Sequence, residues 1–338
     1  MFSILNYRIK LIVFFSLIIF SCKKYIDKKK TINGYSLGTS YSIQYEGGIN
    51  NDEKIKKEID SLFEIINQSL STYISDSDIS KINRGDSLLV VDKHFKKVFN
   101  KSHQIWDISD GFFDPTVGSL VNAYGFGPEI KINNISKKQI DSLIELTGFL
   151  KVSMTLEGTI KKKFHNIYFD FNAIGKGYMV DVISELLDNY KIKNYLIEIG
   201  GEIIAKGINP NSGKYWKIAI DTPDQKKNRK FIKTILLKNK AIATSGNYRK
   251  YRIDSLSGIK YVHSINPKNG QSIQSNILSV SVIASDCMTA DGWATALMIM
   301  PIEFSIPIIE SFEDVDAYWI LSDSLGYKEI FSSNWSEF

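Results

Sequence analysis

The chain has 338 residues, 43% hydrophobic and 12% aromatic, enough to bury one large core or two modest ones, with no compositional sign of disorder. Its 42 basic and 37 acidic residues leave a formal charge of +5, spread along the sequence apart from basic runs at Lys23–Lys30 and Lys226–Lys233, which read as solvated faces and not as a nucleic-acid surface. The only cysteines are Cys22 and Cys287, and none of the four histidines lies in an H-E-x-x-H motif, so a disulfide framework and a zinc site are both disfavoured.

Residues 1–21, "MFSILNYRIKLIVFFSLIIFS", carry Arg8 and Lys10, an apolar stretch from Leu11 to Phe20 and the small Ser21 directly before Cys22. That is the pattern of a secretory signal with a lipoprotein-type cleavage site, and the apolar stretch falls short of the roughly 20 residues a membrane span requires. The expectation is an exported lipoprotein, anchored on the periplasmic side of a bacterial membrane through a lipid on Cys22, with residues 22–33 as a polar tether. Cys287, set among apolar neighbours, reads as a buried structural thiol.

Residues 34–338 read as one unit, without a linker or an internal repeat. "GYSLGTSYSIQYEG" alternates as a strand should. A helix opened by Asn51 or Asp52 follows, with Ile55, Ile59, Leu62, Ile65 and Ile66 on its apolar stripe. "TYISDSDISKIN" reads as a polar loop, Asp92 to Asp107 as a second helix, and "SKKQIDSLIELTG" as a third, stopped at Gly148. From Lys151 the pattern turns to short strands, "KVSMT", "TIKKKF" and "IYFDF", then a helix from Ala173 to about Tyr190, then seven further strand-like stretches ending in "ILSVSVIA". Many strands with few crossovers predict an α+β fold with largely antiparallel sheets.

The helix in "SDCMTADGWATALMIM" holds a carboxylate among apolar neighbours. Asp291 and Thr295 are four apart and share a face, flanked by Met288 and Met298. A lone buried acid must meet a cation or several donors, so Asp291 is either a satisfied structural carboxylate or a ligand for a hard cation such as Mg²⁺. "YFDFNAIGKGYMVD" places Asp170 at a strand end and Asn172 as a candidate N-cap, before a helix whose first-turn N–H groups and Lys176 could meet an anion; an ordinary strand-to-helix turn reads equally well. It is neither a P-loop nor a dinucleotide fingerprint. "TSGNYRKY" and "HSINPKNG" bring Thr244, Ser245, Arg249 and His263 near tight turns, with His263 a general base or a structural histidine.

Taken together and in order, "LGTSYSI", "STYISDSDISKIN", "GFFDPTVGSLVNAYGFG", "DFNAIGKGYMVD", "IEIGGEI", "AIATSGNYRKY", "HSINPKNG" and "TADGWATALM" resemble the ApbE family of flavin transferases. The resemblance implies an ApbE-like, T-fold-like α+β architecture. It also implies Mg²⁺-dependent transfer of FMN from FAD to a Thr or Ser hydroxyl of a target flavoprotein, with release of AMP. The expected targets are flavoprotein subunits of membrane redox complexes. Carried over by position, it assigns Ala173, Asp291 and Thr295 to the metal, and Leu37, Tyr73, Phe112, Phe113, Asp114, Asp170, Lys176 and His263 to FAD, with His263 activating the acceptor hydroxyl. Leu37 stands where the family often has Met, and Asn266 and Asn269 where Asp and Thr are common. The alternatives are an FAD pyrophosphatase, which hands the phosphate to water, and a non-catalytic periplasmic FAD-binding lipoprotein.

Overall fold

The computed structural model describes residues 29–47, 51–223, 230–247, 251–253, 258, 260–272, 275–324 and 326–337. Cys22, the signal segment and Arg249 lie outside the described residues. β1 (Lys29–Ser36) begins inside the stretch read as tether and pairs with β2 (Thr39–Glu46) from Lys29 opposite Glu46 to Ser36 opposite Thr39. The single strand expected from residue 34 onward is therefore a hairpin. Its two-residue turn, Leu37 and Gly38, has φ of 51° and 71°, the left-handed pair whose twist matches that of the flanking strands.

Three helices follow: α1 (Asp52–Leu70), α2 (Asp78–Asn83) and α3 (Lys93–Ile108). The stripe on α1 is as expected except that Ile65 is 44% exposed and Phe63 takes its place in the core. α2 lies in the segment read as loop, where the Ser77 hydroxyl accepts the Ser80 N–H and caps it. α4 (Gly118–Ala123) and α5 (Lys137–Ile144) come next, α5 opened by a reciprocal Ser136–Gln139 capping box.

The strands continue with β3 (Val152–Met154) and β4 (Ile160–Lys162), then α6 (Gly175–Asn189), β5 (Tyr195–Ile199), β6 (Glu202–Lys206), β7 (Trp216–Asp221), β8 (Phe231–Leu237) and β9 (Lys240–Gly246). β10 (Tyr251–Ile253), β11 (Lys260–Val262), β12 (Ile277–Ala284), α7 (Cys287–Ile299), α8 (Ile302–Glu310), β13 (Asp316–Asp323) and β14 (Gly326–Phe331) complete the chain. "IYFDF" forms no ladder, although Ile167, Phe169 and Phe171 are buried in alternation; Tyr168 makes only an isolated bridge to Val117.

Eight strands form one sheet, ordered β1-β2-β5-β6-β9-β12-β13-β14, with every neighbouring pair antiparallel, as the crossover-poor pattern predicts. At its centre both faces are covered. Ala241 and Ala243 of β9, Val280 and Val282 of β12, and Ala317 and Trp319 of β13 join the main core with the helices. Ile242, Ile283, Tyr318 and Ile320 point the other way, into a second core under the β7–β8 hairpin. Double coverage explains why β12 and β13 read as continuous apolar runs while β2 alternates. α7 is buried nearly all round, which suits a helix without a polar face. Among the described residues no helix is long and apolar enough to cross a membrane.

Candidate active site

α6 and α7 approach closely because glycine stands at the contacts. A Cβ on Gly177 would lie 2.3 Å from the Cys287 carbonyl oxygen and 2.7 Å from the Asp291 Cβ, and one on Gly292 would lie 2.4 Å from Ile105 of α3. Asp181 of α6 adds a polar clamp, its carboxylate accepting the N–H groups of Cys287 and Met288 at 2.8 Å each. Burial, then the charge of Asp286, pushes the Asp181 carboxyl up to about 7. The register of the two helices is thus fixed by packing and by hydrogen bonds, and it decides where Asp291 sits.

Asp291 is 3% exposed, and its Oδ2 accepts the Gly177 N–H at 2.9 Å. The Lys176 Nζ stands 3.8 Å from that oxygen and 3.1 Å from Oε1 of Glu202, the first residue of β6. Burial pushes the Asp291 carboxyl up, while Lys176 and the Gly177 N–H pull it back; burial opposes the charge of Lys176, yet Asp291 and Glu202 hold it above the ordinary lysine range. One turn along α7, the Thr295 hydroxyl donates to the Ala173 carbonyl at 3.5 Å and lies 3.5 Å from the Ser245 hydroxyl of β9.

A carboxylate, a hydroxyl and a main-chain carbonyl thus meet where α6 begins. Among the described residues no three His, Cys, Asp or Glu side chains group to hold a metal. A cation here would rest on one carboxylate and neutral oxygens, with the remaining positions left to water and substrate phosphate, the hard-oxygen set that suits Mg²⁺. The residues expected at the metal, Ala173, Asp291 and Thr295, fit that group. Asn172 does not cap α6 as expected: its own N–H goes to Oδ1 of Asp170 at 2.7 Å, and the helix starts after Ile174 without a side-chain cap.

The flank of this corner is built from loops. Asp170 is buried and its N–H donates to the Pro115 carbonyl at 2.8 Å, while Asn83 braces the preceding residue by bonding both the N–H and the carbonyl of Phe169. Tyr73 is 61% exposed, and its hydroxyl donates to the Phe126 carbonyl at 3.3 Å. Burial and the charge of the Asp170 carboxylate hold the Tyr73 phenol above its ordinary range. In the turn of residues 112–114, Phe112 is half-buried, but Phe113 joins the core. The Asp114 carboxylate is also committed: it accepts from the Thr116 N–H and hydroxyl and from the Phe149 N–H, and burial pushes it up to about 6. Leu37 sits half-buried on its hairpin turn, beside the Gly200–Gly201 turn whose first N–H donates to the Ser40 carbonyl.

His263 follows β11, half-buried, with its ring edge-on to Phe126 at 6.4 Å. Its neighbour Ser264 donates to Oδ1 of Asn247, just past β9. Asn266 and Asn269 hold the following turn as Asx residues, accepting the N–H groups of Lys268 and Gln271 at 2.9 and 3.0 Å. The Lys268 Nζ reaches across to Oδ2 of Asp110 at 2.7 Å and over the Phe112 ring at 4.7 Å. The structure therefore brings Ala173, Lys176, Asp291 and Thr295 into one corner and links Tyr73 to His263 through Phe126. Sequence reasoning missed Glu202 and Asp181. The signal for Glu202 was an acid directly after "GG", opening an otherwise apolar strand; nothing in the sequence marked Asp181 as the partner of α7.

The antiparallel sheet and its packed helices match solved structures of flavin transferases. The chain is similar to the flavin transferase ApbE from Vibrio cholerae, with a TM-score of 0.83 and 34% identity, covering 92% of this chain and 99% of that one. It is also similar to the ApbE protein from Thermotoga maritima, with a TM-score of 0.80 and 25% identity over 92% of this chain and 99% of that one. A curated relative, the FAD:protein FMN transferase of Vibrio cholerae, is 35% identical over 330 residues, 95% of this chain and 96% of its own length. The profile of the ApbE family matches residues 37–319, and the chain belongs to that family.

Proposed function

We propose that this enzyme transfers FMN from FAD to a Thr or Ser hydroxyl of a target flavoprotein, with Mg²⁺ required and AMP released. The observation that carries the reading is the corner formed by buried Asp291 with half-buried Thr295 and Ala173, and Lys176 beside it. Phosphoryl transfer asks a protein for position and charge neutralisation more than for covalent help, and this corner offers both. Mg²⁺ held by these three oxygens would neutralise charge on the pyrophosphate.

The chain's own groups supply the rest. Lys176 presents a fixed positive charge at the same corner, where the Gly177 N–H already holds Asp291. The exposed Tyr73 ring offers a stacking face for an aromatic ring of FAD. Leu37, Phe112 and Asp170 would border the bound FAD, and with their side chains turned inward, Phe113 and Asp114 would meet it through the backbone. His263 would accept the proton of the acceptor hydroxyl as its oxygen bonds to the FMN phosphorus; the bond from that phosphorus to the bridging oxygen breaks, and AMP leaves with the electron pair. The acceptor would be an exported domain of a membrane redox complex, in keeping with an enzyme tethered by lipid on Cys22 at the periplasmic face.

The test incubates the protein with FAD, Mg²⁺ and a domain bearing a candidate acceptor threonine, and follows both the acceptor's intact mass and the nucleotides. One added FMN per acceptor with equimolar AMP supports transfer. FMN and AMP in solution beside unmodified acceptor would mean hydrolysis, and untouched FAD would mean a binding protein.

A further inference from the structure

We propose that Glu202 is a positioning residue for the metal corner: it holds the Lys176 ammonium and offsets its charge, so that Asp291 remains available to a divalent cation. The inference rests on the metal reading given above. Lys176 lies 3.1 Å from Glu202 and 3.8 Å from Asp291, so it bridges the two carboxylates and sits closer to the one that is not a proposed ligand. Both acids are nearly sealed from solvent, at 4% side-chain exposure each, and the lysine is 30% exposed. Glu202 is held at the start of β6, directly after the Gly200–Gly201 turn, while Asp291 is held by the Gly177 N–H; neither carboxylate is placed to follow the lysine far.

With all three groups ionised, the corner carries one net negative charge toward an incoming cation. Without Glu202 it would carry none, and the ion pair of Lys176 with Asp291 would remain, competing with the metal. Coulomb energies at separations of a few ångströms, discounted for the partly solvated lysine, make this worth on the order of tenfold in metal affinity per charge changed.

Metal affinity should follow the net charge of the corner across the wild type and four variants. The probe is Mn²⁺ alone, titrated without FAD and read by electron paramagnetic resonance, with Kd fitted for each variant at pH 8. Glu202→Gln should weaken binding about tenfold, Lys176→Gln should tighten it by a similar factor, and the double variant should return close to wild type. Glu202→Asp should recover most of the loss. A merely structural Glu202 would weaken binding in the double variant as much as in the single one, and that result, or an unchanged Kd for Glu202→Gln, would overturn the proposal. Asp291→Asn serves as the separate control. If wild type and Asp291→Asn bind Mn²⁺ alike, the metal reading itself fails and the role of Glu202 falls with it. Melting temperatures of all six proteins show that each is folded under the titration conditions.

Discussion

The Asp291 corner and the histidine turn rest on differently built supports. Asp291 and Thr295 ride on α7 and Ala173 lies in the turn before α6, two helices packed so tightly that a methyl group on Gly177 would fall within 2.3 Å of a neighbouring carbonyl. His263 follows a three-residue strand and opens onto a loop that packs on a small side cluster with α4 and α5. Across its mouth that loop is tied by the pair Lys268–Asp110, which is 42% and 87% exposed. One support is set by interlocking volume, the other by turn chemistry and a solvated ion pair worth little by itself. Under the proposed function, the groups that would bind a cation and pyrophosphate sit on the interlocked helices, and the group that would meet a second protein sits on the turn.

Substitutions can break this contrast, beginning with the chemistry. Asp291→Ala should abolish metal-dependent flavin transfer, a loss of at least about 10³-fold given the several kcal/mol a bound metal contributes to such reactions, read as covalent FMN per acceptor. His263→Ala should cost about 10²- to 10⁴-fold in transfer and far less in FAD affinity, measured by fluorescence titration. Equal losses of FAD affinity in both variants would mean the two supports are not separate in function.

Stability variants sharpen the same division. Gly177→Ala should cost about 1–3 kcal/mol, seen as a lower melting temperature, because helix backbone must move to admit the methyl group. Gly175→Ala, two residues earlier, has nothing within 4 Å of its added Cβ and should change stability by less than about 1 kcal/mol. The smallest effect concerns pH. Because the folded-state value of Asp181 is raised from 3.8 to about 7, the folded protein holds a proton there that the unfolded chain has lost, and this group's contribution to stability falls as pH rises through that window. Urea unfolding between pH 4 and pH 7 should show a shallower decline for Asp181→Asn than for wild type.

Periodicity made α7 readable in the sequence, with its Asp291–Thr295 stripe, because both residues lie on one element and helical geometry alone aligns them. It could not show that Lys176 faces Glu202, since that pairing joins a helix to a strand 26 positions away through the packing of sheet and helix layers. The Leu37–Gly38 turn was missed because leucine rarely takes a positive φ, and the strand alternation continues across the turn unbroken. "IYFDF" shows the opposite failure: alternate burial without a ladder, where Asn83 supplies the hydrogen bonds a neighbouring strand would have made. The sequence offers Asn172 as the cap of α6. Asp170 takes the Asn172 N–H instead, and the helix opens uncapped.

The most direct test of the proposed reaction is the chemistry of the bond it makes. After incubation with FAD and Mg²⁺, the acceptor domain is digested and sequenced by tandem mass spectrometry. The account predicts FMN joined through its phosphate to a Thr or Ser oxygen in wild-type reactions, and none in reactions with Asp291→Ala. Flavin attached through its ring to another side chain, or an equal yield of the phosphoester from the Asp291→Ala protein, would contradict it.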